Sequence, residues 1–182
     1  KMVNEGARQV CRDQRTDLYD RVLAGYEPDI VIATSHDLTT DTYTVMPSGD
    51  VSELEGLASL ELLEAATRQS LDQLLASGAG VVMVEPLPNS PFDPRYCVDA
   101  ASTVEECQFS VLDWPAIETP IYRSIAAQQR QVTTADLTDI VCPRLPLCDP
   151  IIDDVLVRED LDHLSLDFTR LRSPELLDRL GL

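Results

Sequence analysis

Asp160 and His163 stand three residues apart in the stretch Val155-Leu-Val-Arg-Glu-Asp160-Leu-Asp-His163-Leu-Ser165. A carboxylate three residues before an imidazole stays within hydrogen-bond reach across a tight turn. The carboxylate then fixes the ring tautomer and stabilises the imidazolium, which makes the pair the base half of a Ser-His-Asp device. His163 is one of only two histidines. It follows a short apolar run, and open α/β sheets place their chemistry just beyond the carboxyl ends of strands. The competing reading is a solvated acidic turn with an incidental histidine.

A second candidate lies after an earlier apolar run, at Thr34-Ser35-His36-Asp37. Ser35 or His36 could donate a hydrogen bond to an oxyanion there. Loop capping explains the same residues, since Ser, Asp and His are common beyond strand ends. Ser35 acting itself as nucleophile with His163 is a further option. The acidic residues Asp153, Asp154, Glu159, Asp160 and Asp162 lack the loop spacing of a calcium site and read as a solvated rim. Trp114, beside Phe109, is a candidate sugar platform or a loop anchor.

Four of the five cysteines form two close pairs in loop-like sequence, Cys97 with Cys107 and Cys142 with Cys148. No Cys-x-x-Cys spacing and no nearby histidine supports zinc. Two local disulfides, and therefore an oxidising compartment, are expected, with free thiols as the alternative. Cys11 is left over, with a partner outside this sequence as one explanation.

The elements that must carry these residues alternate. Residues 17–25 read as a helix ending at Gly25. Residues 29–34 and 80–85 are near-continuous apolar runs of the kind that suits parallel strands buried on both faces. Residues 38–52 read as a loop, 52–76 as a long amphipathic helix ended by Gly78, and 117–131 as a helix. A short strand is expected at 132–135, the last strand at 154–158, and a closing helix from Ser165. This βαβα order predicts one domain over residues 1–182, a three-layer α/β/α sandwich on a mostly parallel sheet.

The net charge of −18 repels phosphate backbones, so nucleic acid is not an expected partner. There is no Gly-rich phosphate loop, and neither a cofactor nor a metal is implied. No apolar run is long enough to span a membrane. The chain opens at Lys1 and is expected to be a fragment or a processed product.

Taken in order, the two apolar strands, the paired-cysteine loops and the Asp160-x-x-His163-Leu-Ser stretch resemble the SGNH hydrolase-like domain at the C-terminus of acyltransferase-3 membrane proteins. The resemblance is most specific over residues 141–166. It implies an SGNH/flavodoxin-like fold outside the cytoplasmic membrane, tethered in the parent protein to an acyltransferase-3 transmembrane domain of the same polypeptide. It also implies O-acyl transfer to, or ester hydrolysis on, an envelope glycan, with Asp160 orienting and His163 acting as base. The family's nucleophile lies in a Gly-Asp-Ser motif at the end of the first strand. That motif is absent here, since Ser48-Gly-Asp50 has the wrong order. The expectation is that residues 2–10 are what remains before the second strand and that the serine lies outside this chain. The alternative is a catalytically inactive module that binds glycan or positions the membrane domain.

Overall fold

The computed structural model describes residues 10, 13–14, 17–35, 43–45, 51–53, 57–112 and 114–182. Its centre is a three-stranded parallel sheet of β1 (Ile30–Ala33), β4 (Gly80–Val84) and β6 (Val132–Ala135), in the order β1-β4-β6. Ile30 pairs with Gly80, and Val81 with Val132. The strands form because each is a run of small or β-branched residues that can bury both faces, and β4 is almost wholly buried.

Helices cover both faces, which makes the molecule a three-layer α/β sandwich. On one face the Leu57–Leu75 and Glu118–Gln128 helices bring Leu71, Leu74, Tyr122 and Ile125 onto Val81, Met83 and Val132. On the other, the Ser173–Leu180 helix packs Leu176 against Val82, Val84 and Ala135. Burying each of these aliphatic side chains contributes about 1.5–3 kcal/mol. The long helix closes at Gly78, whose φ of 89° is a conformation that favours glycine. A third cluster, Phe109, Val141, Cys142, Cys148, Val157 and Phe168, lies beneath the loops of the C-terminal half. Disulfides join Cys97 to Cys107 and Cys142 to Cys148.

Several elements differ from the sequence expectation. The 38–52 region contains a two-stranded antiparallel hairpin of β2 (Tyr43–Val45) and β3 (Val51–Glu53), so the following helix starts at Leu57. The first helical segment runs past Gly25 to Tyr26, and its left-handed terminator is Glu27, with φ 46°. The last expected strand does not join the parallel sheet. Val155–Leu156 (β9) forms a small antiparallel hairpin with Ile151–Ile152 (β8). Between them Asp153 and Asp154 both take positive φ, the geometry of a tight two-residue turn. Phe109–Ser110 (β5) and Leu147–Cys148 (β7) make another antiparallel pair. The closing helix is two helices, Leu166–Leu171 and Ser173–Leu180. His36, Cys11 and all of residues 2–10 except Val10 lie outside the described residues.

Candidate active site

The turn that carries the dyad is closed at its base by backbone pairing. Arg158 bridges Leu164 in antiparallel fashion, the Glu159 amide donates to the His163 carbonyl at 3.0 Å, and the Ser165 amide donates to Val157 at 2.9 Å. Ser165 then caps the next helix, its Oγ accepting from the Phe168 amide at 3.1 Å. Within the turn, one oxygen of Asp160 accepts from the backbone amides of Asp162 (3.0 Å) and His163 (2.7 Å). The other oxygen lies 2.8 Å from His163 Nδ1. Asp162 Oδ1 is 3.3 Å from the same nitrogen. An ionised carboxylate only accepts, so Nδ1 carries the proton and Nε2 keeps a lone pair available for a general base.

The electrostatics follow from these contacts. The His163 and Asp162 amides, then the imidazole, hold Asp160 well below the usual carboxylate range. The bond to Asp160 raises the His163 pKa above 6.5, reinforced by the charges of Asp160, Asp162 and Glu159. The His163 contribution to stability is therefore present at low pH and fades as pH rises through its raised pKa. That of Asp160 is present above the ordinary carboxyl range and fades as pH falls through its lowered pKa. His163 is 71% exposed, so screening keeps both contributions small.

A pocket of about 230 Å³ brings this turn to the carboxyl ends of the parallel strands. Its lining includes Thr34 and Ser35 from beyond β1, Glu85 and Asn89 from beyond β4, and Asp162 and His163. Ser35 and His163 thus share one pocket, although no hydrogen bond links them. Ser35 Oγ is instead 2.7 Å from the Tyr122 hydroxyl. Glu85 is 3% exposed and receives both Nε and Nη2 of Arg123, at 2.8 and 2.7 Å. Arg123 also reaches Asp136 at 3.1 Å, so one guanidinium ties the ends of β4 and β6. Phe109 is buried in the loop core at 6% exposure and offers no face to a sugar, while Trp114 is half-buried.

Asn89 belongs to no catalytic motif in the sequence. Pro86-Leu-Pro-Asn89 directly after a buried strand is the signal that would have found it, because such an exit lies at the sheet edge where sites form. Asp160, Asp162 and His163 also cluster closely enough to ligate a cation. The hydrogen bonds within the turn already account for that arrangement.

Among the described residues no helix is long and apolar enough to cross a membrane. The two disulfides are consistent with an oxidising, extracytoplasmic setting. No curated protein and no solved structure matches the chain. A family model described as "SGNH domain (fused to AT3 domains)" matches residues 2–178. Together with the parallel sheet flanked by helices, that match identifies a hydrolase-like acyl-transfer module, and the chain belongs to the SGNH domain family whose members are fused to AT3 domains.

Proposed function

We propose that this chain is one extracytoplasmic domain of a membrane-tethered acyltransferase, and that it supplies the base for O-acyl transfer to an envelope glycan. The observation that carries this reading is the 2.8 Å Asp160–His163 contact beside the pocket at the carboxyl ends of β1 and β4. The serine comes from a segment outside this chain. The geometry of β1 suggests its route. Among the described residues no strand pairs with the outer edge of β1, and Ile30 and Ile32 are each 43% exposed. A parallel strand added there would end beside Thr34 and Ser35, and so beside His163.

The chemistry then runs in two balanced halves. His163 Nε2 takes the serine proton as the serine oxygen bonds to the acyl carbonyl carbon. The tetrahedral intermediate collapses, and the donor's leaving oxygen or sulfur takes that proton. In the second half a glycan hydroxyl gives its proton to Nε2 and attacks the acyl-serine, and the serine leaves with the proton restored. Asp160 stabilises the imidazolium in both halves, and Ser35 is an oxyanion donor candidate.

One observation favours a second reading, a silent module that binds glycan or positions the membrane domain. Ser35 is the one serine among the lining residues, and its hydroxyl is engaged by Tyr122 rather than His163. The test is acylation of the envelope glycan by the full-length parent carrying His163→Ala. Loss of acylation with normal expression supports the catalytic reading, and normal acylation supports the silent module.

A further inference from the structure

We infer that the acyl tail enters a second, apolar pocket on the helix side of β1, and that this pocket selects acyl groups longer than acetyl. The inference rests on the acyl-transfer reading above and deepens it by naming the class of acyl group.

The pocket measures about 300 Å³ and is lined by β1, the Leu57–Leu75 helix and the Glu118–Gln128 helix. Ala33 of β1 and Met83 of β4, which pair across the sheet, both line it. Leu71, Leu74 and Tyr122 give it buried walls. The space follows from the sequence. Leu63, Ala66, Thr67, Ser70, Leu71 and Leu74 recur at helical spacing and share one face. On that face the small residues Ala66 and Ser70 stand between Leu63 and Leu74, and the strand contributes Ala33 rather than a branched residue. The gap between helix and sheet therefore stays open.

Thr34 and Ser35 line this pocket and the dyad pocket alike, so the two meet at the carboxyl end of β1. Their chemistry differs. The dyad pocket carries Glu85, Asn89, Asp162 and His163. The apolar pocket has no charged residue among its described lining. Several of its hydroxyls are already engaged. Thr67 Oγ1 donates to the Leu63 carbonyl at 2.8 Å, and the Ser35 and Tyr122 hydroxyls bond each other at 2.7 Å.

Those differences sort the two partners of an acyl transfer. A sugar needs hydrogen-bond partners for its hydroxyls, and it would give up water in the apolar pocket without replacing it. A hydrocarbon tail gains by leaving water for the same place. The glycan hydroxyl therefore belongs on the His163 side and the acyl tail on the helix side, with the carbonyl carbon at the junction beside Ser35. The pocket is at the lower end of the size range of small-molecule sites. A single water takes about 30 Å³ in the liquid, so an acetyl methyl group, of similar size, would leave most of the pocket empty.

The experiment uses the purified full-length parent with p-nitrophenyl acetate, butyrate and hexanoate as acyl donors. In each case the serine oxygen bonds to the acyl carbon, His163 takes the serine proton, and p-nitrophenolate leaves and is counted. Wild-type kcat/KM is expected to be about 10-fold higher for butyrate than for acetate, because two more methylenes are buried. Ser70→Phe and Ala66→Leu narrow the pocket and should lower the butyrate-to-acetate ratio of kcat/KM about 10-fold. Ala66 is exposed on the helix, so leucine there tests the pocket without disturbing the core, and melting temperatures are read alongside. A wild-type kcat/KM that is flat or falls with chain length would overturn the inference. So would an unchanged ratio in both variants. An equal loss on all three esters with a lowered melting temperature would overturn it too, since the pocket would then be filled by a segment of the parent protein. Wild-type turnover of all three esters in His163→Ala would instead remove the acyl-transfer reading itself, and this inference with it.

Discussion

The dyad side of the pocket and the β1 side are built in opposite ways. On the dyad side, residues 97–107 and 142–148 are each closed by a disulfide. The loop core of Phe109, Val141, Val157 and Phe168 backs the turn. Arg158 and the Ser90 amide fasten the turn to the Pro86–Ser90 loop. On the β1 side, Ile30 and Ile32 lie on the same sheet face as Val82, yet they are each 43% exposed while Val82 is 7% exposed under the Ser173–Leu180 helix. On the function proposed above, the base and its supports are preassembled in this chain, and the β1 side receives what completes the site.

The predictions test the two halves of that contrast. The largest effect is expected at the dyad. His163→Ala in the full-length parent should reduce glycan acylation by about 10³-fold or more, read by mass spectrometry of the isolated glycan. Asp160→Asn should follow with a smaller loss of about 10²-fold, through loss of the correct tautomer. It should also move the pH profile. A base works when neutral, so wild-type activity should rise through an inflection above 6.5, the ordinary histidine value, because Asp160 raises the pKa of His163. Asp160→Asn should shift that inflection to lower pH, and an unshifted inflection would show that the two side chains are uncoupled in the working enzyme.

The stapled half can be loosened directly. Replacing Cys142 and Cys148 by alanine should cost about 2–3 kcal/mol in this chain, on a loop-entropy account of a short closed loop. Denaturant titration of the variant against the parent chain measures it. The open half should behave conditionally. Ile32→Asp in this chain should change stability by less than about 0.5 kcal/mol, as surface substitutions do. In the full-length parent, where the β1 side is covered on this account, the same change should cost about 2 kcal/mol. Equal effects in both contexts would mean that nothing covers β1.

The sequence made the sheet and the dyad legible, and for different reasons. β1 and β4 stand out because each is a short, nearly unbroken apolar run, whereas β6 carries Thr133 and Thr134 and reads only as a short strand after a helix. The dyad stands out because its chemistry fits within four residues. The β8–β9 hairpin was hidden because two-residue strands leave no period to read, although Asp153-Asp154 between apolar pairs carried the turn signal. The β2–β3 hairpin was masked by a composition of Thr, Asp, Ser and Gly that also describes loops. Arg158 reads as an exposed strand end, since charged side chains are rarely buried without a partner. Its burial depends on Pro88 and Phe109, far away in sequence. Asn89 depends on the same tertiary ties, so a local pattern could mark its place at a strand exit but not its neighbours.

The central claim is that the base lies in this chain and the nucleophile outside it. Treating the full-length parent with a serine-directed fluorophosphonate and mapping the labelled peptide tests it most directly. The account predicts label on a serine outside residues 1–182, and loss of that label in His163→Ala. Label on Ser35, or labelling at an outside serine that persists at full rate in His163→Ala, would contradict it.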